Sequence, residues 1–269
     1  MKDDVVLVTG ASSGIGAAVA RELGKRGARL VLAARRKAAL EELAAELASR
    51  GVAAIAVECD VTKDGDPEAA VAAAVERFGA LDAVLANAGF GVAGRFEALT
   101  IEDHRRQMET NLFGVLRTLL AALPEVKKRR GRIGVVGSVN GYVGTPATSS
   151  YCMSKFALRG LCDCLRVEMA PHGVSVTHLA PGFVESEIRF KDNRGKLHSG
   201  AKDPVPSWLV ASAEDAAEEI VTALERREKE RVVTFHGKVA VFLQRHAPWI
   251  VDAVVPLVDA DRRPDRAGR

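Results

Sequence analysis

The stretch VVLVTGASSGIG, residues 5–16, decides the fold. Val5 to Thr9 is a short apolar, β-branched run of strand length. It breaks into Gly10-Ala11-Ser12-Ser13-Gly14-Ile15-Gly16, after which Ile15, Val19 and Leu23 recur at helical spacing. The reading is strand, glycine turn, helix. Glycines in such a turn let the backbone approach a pyrophosphate closely, and the helix N-terminus offers free N–H groups and the positive end of its dipole. The spacing is G-x-x-x-G-x-G rather than G-x-G-x-x-G, so the turn takes its meaning from the rest of the chain.

The next 220 residues, roughly, repeat the strand–helix unit. Residues 29–33 read as a second strand, 37–50 as an alanine- and leucine-rich helix closed by Gly51, and 52–58 as a third strand. Pro67 opens a helix that runs to Phe78, and the strand at 83–86 ends in Asn87-Ala88-Gly89. Thr100 with Asp103 resembles a capping box for a long helix that carries Asn111 and stops before Pro124. A strand at 133–136, a helix through Tyr151 to about Ala170 and a strand at 174–179 with Pro181-Gly182 come next. Ser212 with Asp215 caps another helix, with Ile220 and Leu224 on its inner face, before a seventh strand at 232–235. Strands alternating with helices of this length predict a single α/β domain over residues 1–236: a doubly wound parallel sheet, Rossmann-like, of about seven strands. Ligands of such sheets lie at the carboxyl ends of the strands. Gly10, Arg35, Asp60, Asn87, Ser138 and Pro181 all fall just past a strand.

Composition narrows the class. At 48% hydrophobic and 27% charged residues, the chain of 269 suits one soluble domain with a sizeable core. A net charge of +3 carries no nucleic-acid signature, and the basic run Lys127, Lys128, Arg129, Arg130, Arg132 reads as a solvated turn before a strand. Cys59, Cys152, Cys162 and Cys164 lack the spacing of a disulfide framework or zinc site, and the six histidines are scattered, so no metal is expected. The N-terminus enters a strand directly, with no signal peptide and no apolar run of membrane-spanning length, which makes the cytoplasm the expected compartment.

The chemistry concentrates in SVNGYVGTPATSSYCMSK, residues 138–155. A helix from about Ser150 stacks Tyr151 and Lys155, four apart, on one face. A free phenol, with a pKa near 10, is a poor acid–base catalyst at neutral pH, and a neighbouring ammonium favours the phenolate and lowers that value. Ser138, just past an apolar strand, is placed to hold by a hydrogen bond the same substrate oxygen that the tyrosine protonates. Alone, the Tyr-x-x-x-Lys spacing is common; with six candidate residues at strand ends it describes a site for carbonyl/alcohol chemistry.

Together Thr9 to Gly16, Asp60, Asn87-Ala88-Gly89, Asn111, Ser138, Tyr151-Cys152-Met153-Ser154-Lys155 and Pro181-Gly182 resemble the short-chain dehydrogenase/reductase family, in the family's order, over about residues 5 to 236. The resemblance implies Tyr151 as general acid/base, Lys155 as the group that tunes it and binds the nicotinamide ribose, Ser138 as the residue orienting the carbonyl, and Asn111 as anchor of a water in a proton relay. It implies a cofactor site of Gly10, Ser12, Ser13, Gly14, Ile15 and Gly16 at the pyrophosphate, and Asp60 with Val61 at the adenine. Asn87, Ala88 and Gly89 stand on the cofactor side, with Pro181, Gly182, Val184 and Ser186 at the nicotinamide amide. Two departures, Ala86 and Gly137, leave the residues that carry these roles in place.

The end of the second strand selects the cofactor. A carboxylate there would bind the ribose hydroxyl of NAD; this chain has Ala34, then Arg35 and Arg36, which suits the 2′-phosphate of NADP(H) and makes NAD(H) the lesser candidate. The expected function is an NADP(H)-dependent oxidoreductase acting on a small-molecule carbonyl or alcohol. The alternative is a non-catalytic NADP-binding regulatory protein on the same fold, against which the intact catalytic set argues. Gly137-Ser138-Val139-Asn140-Gly141 has the wrong spacing for a hydrolase nucleophile turn, and the resemblance argues against a sugar-nucleotide epimerase. Phe90, Val143, Phe183 and Trp208 point to an apolar pocket for a steroid-, retinoid- or aliphatic-like substrate, and the loop 183–208 is expected to cover it. The resemblance favours a homodimer or homotetramer. Residues 237–269 form an extension: two short amphipathic helices broken at Pro248 and Pro256, with Val239, Phe242, Leu243, Ile250 and Val254 inward, and a polar tail. Packing over the pocket or into an interface is favoured over membrane contact, because the polar face is not strongly basic.

Overall fold

In a computed structural model, residues 1–190, 193 and 205–260 are described. Among them the strands β1 (Val5–Thr9), β2 (Arg29–Ala34), β3 (Ala54–Glu58), β4 (Ala83–Ala86), β5 (Arg132–Val136), β6 (Ser175–Ala180) and β7 (Glu230–Val232) form one sheet in the order β3-β2-β1-β4-β5-β6-β7. Every pairing is parallel, as in Val8↔Leu32 between β1 and β2 and Val135↔His178 between β5 and β6. The helices are α1 (Gly14–Lys25), α2 (Lys37–Ser49), α3 (Asp66–Phe78), α4 (Ile101–Met108), α5 (Gly114–Lys128), α6 (Ser149–Met169), α7 (Ala213–Glu225), α8 (Phe235–His246) and α9 (Pro248–Ala260).

A strand covered on both faces is apolar along most of its length, and β1 is: all five of its residues are buried and only Thr9, at its end, is polar. Its alternation splits the core in two. Val6 and Val8 join Leu30, Leu32, Leu23, Leu40 and Ile220 on the face covered by α1, α2 and α7, while Val5 and Leu7 join Val31, Ala74, Leu119 and Leu158 on the face covered by α3, α5 and α6. The strand order reverses between β3 and β4. A crevice therefore opens at the carboxyl ends of β1 and β4, where the glycine turn meets Asn87.

Four local expectations need correction. The helix carrying Asn111 is not continuous: the Thr100–Asp103 capping box opens α4, a π-turn occupies Glu109–Phe113, and α5 then runs through Pro124 to Lys128. Pro124 and Leu120, whose carbonyl loses its partner, both lie exposed, on the side of the helix that water can reach. The seventh strand is Glu230–Val232 rather than 232–235, because the Thr234 side chain accepts from the Gly237 N–H and starts α8 at Phe235. Helix α9 passes Pro256 without ending there.

The C-terminal pair also turns a different face inward. Gly237 packs so close to Val139 that a Cβ would stand 2.7 Å from Val139 Cγ2. This fixes the rotation of α8, so Val241, four residues on, is buried, and it joins Tyr142, Val143, Ala180, Val139, Val232, Val251 and Val255. Val239, Phe242 and Val254, expected inside, are 43%, 60% and 48% exposed. The polar tail from residue 261 and residues 191, 192 and 194–204 of the expected covering loop lie outside the described residues.

Candidate active site

The glycine turn is built to leave room. Gly10 (φ +68°) and Gly14 (φ +53°) take left-handed conformations that side chains resist, and a Cβ on Gly16 would stand 2.3 Å from Gly10 O. Asn87 locks the turn to β4: its Nδ2 donates to Thr9 O at 2.9 Å and Gly10 O at 3.3 Å, while Asn87 N–H and Ala88 N–H both donate to Thr9 Oγ1. Ser13 precedes α1 without its side chain capping the helix. An uncapped helix N-terminus beneath a surface that a methyl group would fill suits an anionic dinucleotide backbone. The fit is good.

At the end of β2 the two arginines diverge. Arg36 reaches back to the turn, its guanidinium donating to Ser12 Oγ and Ser12 O at 3.3 Å each, whereas Arg35 lines a surface groove of about 700 Å³ with Thr62, Arg105 and Thr110. Past β3, Asp60 accepts from Thr62 N–H and Oγ1 through Oδ1 alone, and the buried Val61 packs where a Cβ on Gly114 would clash.

Ser138, Tyr151 and Lys155 come together in the structure. Ser138 is buried past β5, in extended conformation, with its Oγ accepting from Asn140 N–H at 3.1 Å. The Ser138 hydroxyl is close enough to the Tyr151 phenol to favour its ionised form. Lys155, one helical turn on and 5% exposed, sits 5.6 Å from the Tyr151 ring centroid and donates to Val136 O at 2.8 Å. Electrostatics depart from expectation here. Burial pushes the Tyr151 phenol up, with the Ser138 hydrogen bond opposing it in part and Cys152 adding slightly, and burial lowers the Lys155 ammonium to about 8. The phenol is therefore a proton donor rather than a phenolate, because the cost of desolvating its charge prevails and the ammonium is turned towards a strand carbonyl.

Asn111, fully buried on the π-turn, ties the pieces together. Its Oδ1 accepts from Phe90 N–H at 3.0 Å, and its Nδ2 donates to Phe90 O at 2.9 Å and Ser154 Oγ at 3.4 Å, which links the loop after β4 to the helix of Tyr151 and Lys155. A π-turn at such a point matches the recurrence of these bulges at functional sites. Sequence reasoning missed its helper Gln107, also fully buried, which donates to Phe90 O and accepts from Val92 N–H. The signal was available: Gln107 and Asn111 are polar residues one turn apart on one face.

The substrate side is mixed. Gly89 faces Asn111, and a Cβ built on Gly91 would stand 3.8 Å from Ile188 Cγ1 and 3.9 Å from Tyr151 Cδ2, neighbours the sequence did not announce. Phe90 is half-buried, Phe183 stacks on His236 at 5.3 Å and Trp208 is 80% exposed. Val143 belongs to the cluster under α8 and α9. Pro181 O accepts from Val139 N–H at 2.9 Å, Gly182 has no room for a Cβ beside Thr234 and His236, Val184 is buried in the sheet core, and Ser186 Cβ lies 3.2 Å from a Cβ built on Gly14.

A model of the short chain dehydrogenase family matches residues 4–196. The Bos taurus protein called dehydrogenase/reductase SDR family member 7B is 34% identical over 93% of this chain and 79% of its own, and 11-beta-hydroxysteroid dehydrogenase A of Sesamum indicum is 35% identical over 94% and 75%. Among solved structures, an alcohol dehydrogenase from Thermococcus sibiricus complexed with 5-hydroxy-NADP superposes with a TM-score of 0.77 at 33% identity, covering 87% of this chain and 97% of that one. A short chain dehydrogenase/reductase from Burkholderia phymatum in complex with NAD gives 0.78 at 25% identity, covering 98% and 97%. The chain belongs to the short-chain dehydrogenase/reductase family, oxidoreductases that work with a nicotinamide cofactor.

Proposed function

We propose that the protein is an NADP(H)-preferring oxidoreductase that interconverts a carbonyl and an alcohol on an apolar small molecule. The observation that carries the reaction is the convergence of Ser138, Tyr151 and a buried Lys155 where the carboxyl end of β5 meets the first turns of α6. When bound, the nicotinamide supplies or takes the hydride. Ser138 holds the substrate oxygen, and Tyr151 delivers a proton to that oxygen as charge develops on it. Lys155 keeps a positive charge beside the phenol, which lowers the cost of the phenolate left behind. A phenol that starts protonated suits carbonyl reduction. In the reverse direction the same groups take the proton from the alcohol.

Cofactor preference rests on Arg36 at the glycine turn and on β2 ending without a carboxylate. An apolar substrate is supported by Ile188, which with Tyr151 borders the space a side chain at position 91 would fill, and by the steroid dehydrogenase among the relatives. Exposed Phe113, Leu120, Met153, Phe156 and Val167 on α5, α6 and the preceding turn support self-association. A panel of steroid, retinoid, aliphatic and sugar carbonyls, assayed with NADPH and NADH, tests the reading. Consumption of NADPH with an apolar ketone or aldehyde is expected; tight NADPH binding without turnover on any member would favour the non-catalytic alternative.

A further inference from the structure

The strap after β6 carries an acidic residue into the cofactor cleft. Its base is pinned: Phe183 N–H donates to His236 Nε2 at 3.0 Å, Val184 forms a β-bridge with Ala211, and Ala211 exchanges backbone hydrogen bonds with Phe183 and Glu185 at 3.0 Å each. Beyond that anchor Ser186 lies on the glycine turn, against Gly14. Glu187 is next, and its carboxylate accepts from the Ser13 hydroxyl at 3.1 Å and pairs with Arg36, at 3.1 Å from Nη2 and 3.4 Å from Nη1.

These partners are the ones a dinucleotide needs. Ser13 leads into the uncapped N-terminus of α1, which favours a negative charge, and Arg36 is the guanidinium placed for a 2′-phosphate. We propose that Glu187 is a tethered anion that holds the phosphate end of the cleft in the free protein and is displaced when the cofactor enters, so that it sets cofactor affinity and tempers the preference for NADP(H). The effect on preference rests on the reading of Arg36 given under Proposed function; the contact with Ser13 does not. Because the base of the strap is fastened at Phe183, Val184 and Glu185, the displacement is confined to the turn from Ser186 onward. The contact is partly exposed, so its competition is modest: an apparent Kd raised about threefold to tenfold.

Titrating NADPH and NADH by fluorescence into the wild type, Glu187→Gln, Arg36→Gln and the double variant tests this, with Glu187→Ala as a second removal of the charge. Glu187→Gln and Glu187→Ala are expected to tighten NADPH binding about threefold to tenfold, NADH binding by less, and NADPH binding by a smaller factor once Arg36 is gone. If both Glu187 variants leave both affinities unchanged or weaken them, the tethered-anion role is overturned. Equal wild-type affinities for the two cofactors, unmoved by Arg36→Gln, would instead overturn the NADP(H) reading. Tightening of both by Glu187→Gln in that case would keep the tethered anion through Ser13 alone.

Discussion

Replacing His178 by Asn should flatten the acid limb of the stability curve. His178 is 1% exposed on β6, its Nδ1 lies 3.0 Å from the Tyr142 hydroxyl, and Tyr142 in turn donates to Glu230, which Arg245 of α8 holds through both carboxylate oxygens. Its Nε2 has no hydrogen-bond partner among the described residues and presses on Gly137, where a Cβ would stand 2.1 Å away. A second proton on the ring would therefore be buried without an acceptor. Burial, opposed by Glu230 and helped by Lys155 and Arg159, pushes the imidazole down to about 4 from an ordinary 6.5. Between those values the unfolded chain binds a proton that the folded chain refuses, so stability is lost as pH falls through the window, by about 3 kcal/mol in all. Asn keeps a donor towards Tyr142 and cannot titrate. Urea unfolding at small pH intervals from about 7.5 to about 4.5 reads the difference. The carboxylates of Glu46, Glu225, Glu228 and Asp103, all held below their ordinary values, destabilise at still lower pH and do so in both proteins. The variant, less stable at neutral pH because of the hollow left beside Gly137, should lose much less on acidification. Parallel curves for the two proteins would refute the reasoning.

Other consequences are as direct. Carbonyl reduction should slow above about pH 8, where Lys155 loses its proton, and Lys155→Ala should abolish that limb while lowering kcat by about a hundredfold or more; a pH–rate profile of kcat/KM checks both. Gly16→Ala drives a methyl group against Gly10 O and Asn87 Nδ2, which cannot yield as a flexible chain end would, so denaturant melts should show a loss of about 1–3 kcal/mol and cofactor titrations a weaker Kd. A protein ended at Gly237 loses Val241 from the wall shared with Tyr142 and Val143, at a cost of about 1.5 kcal/mol or more, and should melt lower with a raised KM. Unchanged melting and KM with loss of liposome binding would point the extension at a membrane instead.

The parts legible in the sequence are those where one local rule suffices. Predominantly apolar runs marked the central strands, because a strand buried on both faces admits a polar residue only where a partner satisfies it, and the glycine turn announced itself through residues whose backbone geometry admits little else. The capping residues Thr100, Ser212 and their partners Asp103 and Asp215 stand where expected. What escaped depends on neighbours distant in sequence. Pro124 sits inside α5 because that side of the helix meets water, and the inward face of α8 is chosen by Gly237 against Val139, a contact across the sheet end. Tyr151 and Lys155 were found by spacing, yet the direction of the ammonium towards Val136 is set by the tertiary environment of α6. Glu187 carries no motif at all; only the fold brings it to Ser13 and Arg36.

The central claim is that Tyr151 protonates a carbonyl oxygen held by Ser138 while hydride arrives from the nicotinamide. Tracing deuterium from NADPH, labelled at the transferable position of its nicotinamide, into the product of an active carbonyl tests it most directly, with wild type and Tyr151→Phe compared at matched cofactor saturation. The wild type should place deuterium on the carbinol carbon, and Tyr151→Phe should do so at least about a hundredfold more slowly while its NADPH affinity stays close to that of the wild type. Transfer at an undiminished rate in Tyr151→Phe would contradict the account.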